Sequence, residues 1–164
     1  MKSKRIIALL LCFALTFSVA FGCGNKPEPE PDDPTPVEEI TKFTDTVMAQ
    51  NGETDYKIVV PATASDCVLY AASELNRYFT QSTGAQMEIV VDNGIALDEN
   101  AKYVSLGDTT MAGGLDVTKA EVNLDGYKIA RRGNTLLIKA YEDRGVMYGV
   151  YEFLHRGFGY ECYA

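Results

Sequence analysis

Hydrophobic residues recur at helical spacing in two segments of the chain. The first segment follows Thr63 or Ser65, either of which is a suitable N-cap, and ends near Gly84, a suitable C-terminal stop. The second begins with Asp143 as its N-cap and ends near Gly157. We therefore expect two amphipathic helices, whose buried stripes are Val68, Ala71, Ala72, Leu75 and Phe79 in the first and Val146, Met147, Val150, Phe153 and Leu154 in the second.

Short runs rich in β-branched residues predict the strands. These runs are residues 56–61, 87–91, 103–107, 126–130 and 135–141. A hairpin joins the last two, because Gly133 and Asn134 tolerate the positive φ of a tight turn. Residues 108–124 show little periodicity, so we expect a loop with one short helical turn.

The predicted elements follow the order strand, helix, four strands, helix. Two amphipathic helices and one sheet of mixed direction are typical of an α+β fold. We expect a two-layer sandwich, in which both helices pack on one face of a mixed β-sheet of about five strands.

The first 22 residues have the pattern of a lipoprotein signal peptide. Basic residues precede an apolar run over residues 6–20, which is too short to span a bilayer comfortably. The following Ala20-Phe-Gly-Cys23 resembles a bacterial lipobox, with Ala20 in place of the more usual leucine. We expect Cys23 to be lipidated and to hold the protein to membrane lipid at the outer face of a bacterial membrane, on the cell surface. An ordinary secretory signal that contains a cysteine is the alternative.

Residues 23–52 are predicted to be the lipidated cysteine followed by a linker. Residues 26–39 are dominated by proline and acidic residues, and such a segment stays extended and hydrated because it cannot bury a core. Residues 53–164 then form one domain, which is long enough for a single core. The net charge of −8 and the lack of a basic stripe argue against nucleic acid as a partner and leave glycans open.

The sequence offers little catalytic chemistry. His155 is the single histidine, and no cysteine–histidine spacing typical of a metal site is present, so we expect neither metal nor cofactor. Glu152 and Glu161 are the nearest candidates for a pair of glycosidase carboxylates, but no pattern places them in one pocket, and we expect solvated side chains. Cys67 and Cys162 either pair in an oxidising compartment or remain separate thiols.

The second predicted helix contains two glycines on one face. Gly145 and Gly149 lie four residues apart and together cost about 2 kcal/mol of intrinsic helix stability. Close approach of this face to the sheet or to another domain would compensate. Aromatic residues crowd the same region, and we interpret them as core or domain-interface residues rather than a sugar-binding platform; they are Tyr148, Tyr151, Phe153, Phe158, Tyr160 and Tyr163.

Residues 56 to about 159 resemble the N-terminal accessory domain of bacterial α-glucuronidases. They also resemble the non-catalytic second domain of chitobiase-type β-N-acetylhexosaminidases. The most specific part is residues 144–154, where Arg144, Gly145, Tyr148 and Gly149 form the family's glycine–tyrosine–glycine helix motif. The other matching pieces are Ile58-Val-Val-Pro61, the helix from Ala71 to Phe79 leading to Thr83-Gly84, Val104-Ser-Leu-Gly107 and Asp125-Gly-Tyr-Lys-Ile129.

The resemblance implies a supporting role in glycan degradation. In those enzymes the accessory domain packs beside a (β/α)₈ barrel that carries the catalytic carboxylates, and a barrel needs about 200 residues or more. We therefore expect the catalytic barrel to be absent from this chain and to be its partner, and no catalytic residue of the family is carried over. A stand-alone carbohydrate-binding or adhesion module is the alternative, and an enzyme in its own right is disfavoured.

Overall fold

The computed structural model describes residues 36–40, 43, 46–96, 98 and 100–161. These residues belong to one compact unit that spans Thr35–Ala164. The predicted signal peptide, Cys23 and Cys162 lie outside the described residues.

Six strands and three α-helices make up the described part of the chain. In chain order they are β1 Glu38–Glu39, β2 Lys57–Pro61, α1 Asp66–Thr83, β3 Glu88–Asp92, β4 Tyr103–Leu106, α2 Lys119–Val122, β5 Tyr127–Arg132, β6 Thr135–Ala140 and α3 Asp143–Phe158, with a 3₁₀ turn at Thr110–Ala112 between β4 and α2.

The strands form one mixed sheet in the order β1-β5-β6-β4-β2-β3. Strands β3, β2, β4 and β6 run parallel, whereas β5 is antiparallel to both β6 and β1. The five predicted strands are all present, and the predicted mixed sheet is confirmed. Between β5 and β6 the turn is only two residues long, and of these Gly133 alone has a positive φ, at 56°.

The two long helices begin and end for local reasons. Ser65 caps α1, because its side chain accepts a hydrogen bond from the Val68 backbone N–H at 3.4 Å, and Gly84 ends it in the left-handed conformation at φ 75°. Helix α3 has Glu142 rather than Asp143 at its N-cap position, and it ends at Gly159 in the same left-handed way. The predicted helices therefore shift by only one or two residues.

Helices α1 and α3 pack on the same face of the sheet, as predicted. Their buried stripes meet Ile58, Val60, Val104, Leu106 and Ile138 in one apolar core. Met147 was expected in the stripe of α3 but is only partly buried, because the two glycines occupy the side that faces the sheet. Every other predicted stripe residue is buried.

A loop covers the opposite face of the sheet. Met111 and Leu115 pack against Val59, Ala130 and Leu137 in a second, smaller core. Two side chains hold this loop in place: Asp92 accepts a hydrogen bond from the Thr110 N–H, and Arg132 donates to the Met111 carbonyl at 2.9 Å. The segment predicted as a loop thus contributes a partial third layer.

The folded part begins earlier than residue 53, where the sequence places the start of the domain. Glu38 and Glu39 pair with Arg131 and Ala130 of β5, and the Phe43 ring lies 5.8 Å from that of Phe153. A two-residue strand in an acidic segment has no periodicity to reveal it. It forms because the outer edge of β5 offers unpaired backbone groups.

The glycine face of α3 lies directly on the sheet. A Cβ atom at Gly149 would stand 2.5 Å from Ile138 Cγ2 and 3.2 Å from the Tyr127 ring. A Cβ atom at Gly145 would stand 2.7 Å from Ala140 Cβ and 2.8 Å from the Gly126 carbonyl oxygen. The predicted close approach is therefore made to the sheet of the same domain.

We predict that Gly149→Ala destabilises the domain although alanine is the better helix former. The propensity gain is about 1 kcal/mol, whereas forcing a methyl group against buried Ile138 costs about 1–3 kcal/mol. Urea denaturation should therefore show a lower midpoint. The matched control is Gly157→Ala on the same helix, where the added Cβ stands at an ordinary 3.6 Å from the Phe153 ring. That variant should be as stable as the wild type or more so; equal midpoints for the two variants would contradict the prediction.

Candidate functional site

The outward side of the α1–α3 pair carries a cluster of tyrosines. On α1, Tyr70, Glu74 and Tyr78 are four residues apart and share one face, and on α3, Tyr148 and Tyr151 share another. The Tyr160 ring lies beside the rings of Tyr78 and Tyr151. We call these three residues, together with Tyr70 on α1 and Tyr148 one turn before Tyr151 on α3, the tyrosine face. Its outer members are well exposed, Tyr70 at 54% and Tyr148 at 40%.

A buried carboxylate lies beneath the tyrosine face. Glu74 is only 7% exposed, and Arg77 binds both of its oxygens, at 2.9 and 2.8 Å. The Tyr151 hydroxyl donates a third hydrogen bond to Glu74 at 3.0 Å, from a position 77 residues further along the chain. This network ties α1 to α3, and its charged partner makes it worth more than a neutral hydrogen bond.

Aromatic contacts extend this network to the last described residues. The Arg77 guanidinium lies 4.1 Å from the centroid of the Tyr78 ring and donates a hydrogen bond to the Tyr78 hydroxyl. The Tyr78 and Tyr160 ring centroids are 4.0 Å apart, and a ring nitrogen of His155 lies 3.0 Å from the Tyr160 carbonyl oxygen. The last described residues therefore pack against the tyrosine face.

The environment of Tyr151 shifts its acidity. Burial raises the pKa of the Tyr151 hydroxyl well above its usual value, and the hydrogen bond to the Glu74 carboxylate raises it further. The hydroxyl therefore stays protonated at neutral pH and acts as a donor. Such a group stabilises the helix pair.

A groove lies on another side of the domain, beside the C-terminal end of α3. It has a volume of about 630 Å³ and lies between residues 38–40, 43 and 46–49, the β5–β6 turn and the end of α3. Arg131 and Arg156 contribute to its walls, together with Asn134, and the half-buried Phe43 and Phe158 contribute aromatic surface. We call this feature the Arg131–Arg156 groove.

The four motif residues of the predicted α3 helix have two different roles. Gly145 and Gly149 face the sheet, as described above, whereas Arg144 and Tyr148 point outward. Arg144 forms an ion pair with Asp125, donating from Nε at 2.8 Å, and so ties α3 to the start of the hairpin. Arg144 and Tyr148 are both exposed, at 55% for the Arg144 side chain and 40% for Tyr148, so a partner can reach either of them.

The remaining predicted site residues form no catalytic constellation in the described chain. Glu152 is paired with Arg156 at 2.5 Å and does not face a second carboxylate across a pocket in any described contact. Cys67 is a partly buried free thiol near the start of α1, and because Cys162 is not described, its pairing remains a hypothesis.

The described residues contain no group of three or more histidine, cysteine or acidic residues placed to hold a metal ion. Within the same ranges, no helix combines the length and apolar character that crossing a membrane requires.

Sequence reasoning missed the Glu74 network. The helical pattern assigns Glu74 and Arg77 to polar faces of α1, where the expected state of both is solvated. The sequence does show Tyr70, Glu74 and Tyr78 at four-residue spacing, but this spacing indicates only that the three residues share one face of α1. The burial of Glu74 depends on Tyr151, which a local pattern cannot supply.

Comparisons with known proteins place these features in context. The family described as Glycosyl hydrolase family 67 N-terminus matches residues 41–153. No curated protein matches the chain. A solved GH138 enzyme, described as targeting pectin rhamnogalacturonan II, is similar over 64% of this chain at 16% identity and a TM-score of 0.39. The chain spans 14% of that enzyme's length. The family match supports the resemblance to the N-terminal domain of α-glucuronidases. The resemblance to chitobiase-type enzymes receives no support.

We predict that Tyr151→Phe lowers the free energy of unfolding at neutral pH by about 1–3 kcal/mol, because it leaves a buried carboxylate with one donor fewer. Tyr148→Phe on the same helix is the control, since no described hydrogen bond involves its exposed hydroxyl. Urea denaturation compares the two variants. A Tyr151→Phe midpoint equal to that of Tyr148→Phe would show that the hydrogen bond to Glu74 contributes nothing.

The same hydroxyl predicts a loss of stability at alkaline pH. An unfolded tyrosine has a pKa of about 10, and the folded-state pKa of Tyr151 lies above it. The stabilisation is therefore complete below about pH 10 and is lost as the pH rises from there towards the folded-state pKa. Tyr151→Phe should show a smaller decline between about pH 9 and 11 than the wild type; parallel declines would exclude this role.

Proposed function

This chain belongs to the glycosyl hydrolase family 67 N-terminal family, and we propose that it is the non-catalytic accessory domain of a membrane-anchored glycoside hydrolase that degrades polysaccharides. The observation that carries this proposal is the family match over residues 41–153, which takes in β2 to β6 and most of α3. The α-glucuronidase class of the parent enzyme is part of the proposal. The catalytic carboxylates would belong to a partner domain.

The tyrosine face is the surface that would contact the catalytic domain. Tyrosine and arginine are enriched among residues that dominate binding energy, and Tyr70 and Tyr148 are the most exposed large side chains of this face. Its centre is rigid because Glu74 is held by Arg77 and Tyr151. A rigid aromatic surface loses little conformational entropy when a partner covers it.

The position of the last described residues supports the same surface. Tyr160 packs on Tyr78 at the edge of the tyrosine face, so any domain that follows in a longer protein would begin beside it. A tethered partner has a high effective concentration, and therefore a modest interface is enough for stable docking.

The test uses the protein extended by the coding sequence that follows Ala164 in its gene. We predict that the double variant Tyr70→Ala/Tyr148→Ala lowers the free energy of unfolding of the extended protein by roughly 2 kcal/mol or more. This is the size of the loss when an interface hot spot is removed. In the isolated chain the same double variant should change the free energy of unfolding by no more than about 0.5 kcal/mol, because both side chains are exposed. Thermal unfolding of both lengths measures the difference.

Tyr141→Ala is the matched control, because Tyr141 is an equally exposed tyrosine, at 45%, outside the tyrosine face. Equal effects of the two changes in the extended protein would contradict docking through this face. A stop codon directly after Ala164 would instead favour the alternative function, a stand-alone carbohydrate-binding or adhesion module on the cell surface.

Anchoring to the membrane is a separate part of the proposal. The lipobox-like sequence ending at Cys23 and the proline-rich, acidic residues 26–39 are what supports it. Residues 26–37, which precede β1, would reach about 37 Å in polyproline II conformation and would hold the domain clear of the lipid headgroups.

We predict that the protein produced in a bacterial host partitions into the detergent phase and that Cys23→Ser partitions into the aqueous phase. Removing the acyl acceptor removes the apolar chains that hold the protein in detergent or membrane. Cys67→Ser controls for general effects of losing a thiol and should remain in the detergent phase. Wild type and Cys23→Ser both in the aqueous phase would show that Cys23 is not lipidated.

A further inference from the structure

The Arg131–Arg156 groove is the second surface of this domain with the features of a binding site. Its volume of about 630 Å³ lies within the range of roughly 300–1,000 Å³ that is typical of ligand sites. It is formed by parts of the chain that are distant in sequence: the segment around β1, the β5–β6 turn and the end of α3.

Two ion pairs border the groove. Glu38 pairs with Arg131 at 2.8 Å on the strand side, and Glu152 pairs with Arg156 at 2.5 Å on the helix side. Each described bond uses one guanidinium nitrogen, whereas arginine carries five N–H donors in a planar fork. Both arginine side chains are about half exposed, so the remaining donors can reach a ligand.

An amide side chain without a described hydrogen bond lines the same groove. Asn134 is exposed at the β5–β6 turn and lines the groove. In the described contacts its side chain makes no hydrogen bond, so its carbonyl and NH₂ groups are both free. An amide of this kind accepts from one hydroxyl group and donates to another.

Aromatic rings form the apolar part of the groove. Phe43 and Phe158 are half-buried and lie on either side of Phe153, at 5.8 and 5.6 Å between ring centroids. The guanidinium of Arg156 lies 5.9 Å from the centroid of the Phe43 ring. Ring faces beside planar polar groups suit a ligand that has apolar C–H faces and many hydroxyl groups.

The charges of the groove narrow the class of ligand. Glu38, Glu39 and Glu152 offset the two arginines, and the whole chain carries −8. An excess of negative charge disfavours a polyanion. The arginines disfavour a metal cation for the same electrostatic reason.

We propose that the Arg131–Arg156 groove binds a short neutral oligosaccharide, with Asn134 and Arg156 bonding to sugar hydroxyls and the rings of Phe43 and Phe158 stacking on the sugar faces. The sugar class rests partly on the proposed role in a glycoside hydrolase. Binding here would hold the polysaccharide near the enzyme, in addition to the docking made by the tyrosine face.

The test is a titration of the purified chain with xylohexaose and cellohexaose, followed by backbone amide NMR. Saturable shifts should appear at residues 131–136 and 153–158 at oligosaccharide concentrations up to about 10 mM. Asn134→Ala and Arg156→Ala should each weaken binding about five- to tenfold, the loss of one or two hydrogen bonds. Dispersed spectra of both variants show that they are folded.

Asn93→Ala is the matched control, an exposed turn asparagine beside β3 at the other edge of the sheet, and its affinity should be unchanged. The absence of saturable shifts with both sugars would overturn the proposal. So would shifts confined to the tyrosine face, or tighter binding of tetragalacturonate than of the neutral sugars. None of these results bears on docking, which is measured in the extended protein.

Discussion

The close contact between α3 and the sheet determines the arrangement of this domain. Gly145 and Gly149 have no Cβ atoms, so the helix axis approaches Ile138, Ala140 and Tyr127 more closely than any other residue type would allow. The cost of two glycines in a helix is offset because this approach lets Val146, Val150 and Leu154 enter the core. With the glycine side fixed against the sheet, the opposite side of α3 must point outward.

This orientation explains why both candidate surfaces lie along α3. Tyr148 and Tyr151 emerge on the side away from the sheet, and Tyr151 meets the buried Glu74 carboxylate of α1. The end of the same helix places Phe153 and Arg156 beside the groove. One helix therefore connects the core, the tyrosine face and the groove, and a change in its distance from the sheet would move all three.

The opposite face of the sheet is covered by a loop that polar side chains hold in place. Asp92 and Arg132 hold the loop around the 3₁₀ turn, and this allows Met111 and Leu115 to cover Val59, Ala130 and Leu137. Because both sheet faces are covered, the apolar side chains of the central strands are not available for binding. Exposed aromatic or apolar side chains remain at the tyrosine face and on β3, where Ile89 and Val91 are exposed.

The sequence alone determined the elements whose causes lie within a few residues. Apolar spacing and the caps at Ser65 and Gly84 predicted α1, β-branched runs predicted the five main strands, and the spacing of Gly145 and Gly149 predicted a closely packed helix face. Only the tertiary structure decided which polar groups are buried and which segments pair. Glu74 is buried because Tyr151 meets it from 77 residues away, and β1 forms because Glu38 pairs through its backbone with Arg131 at the edge of β5, 93 residues away. Local patterns carry no information about such partners, since the fold must form before they are brought together.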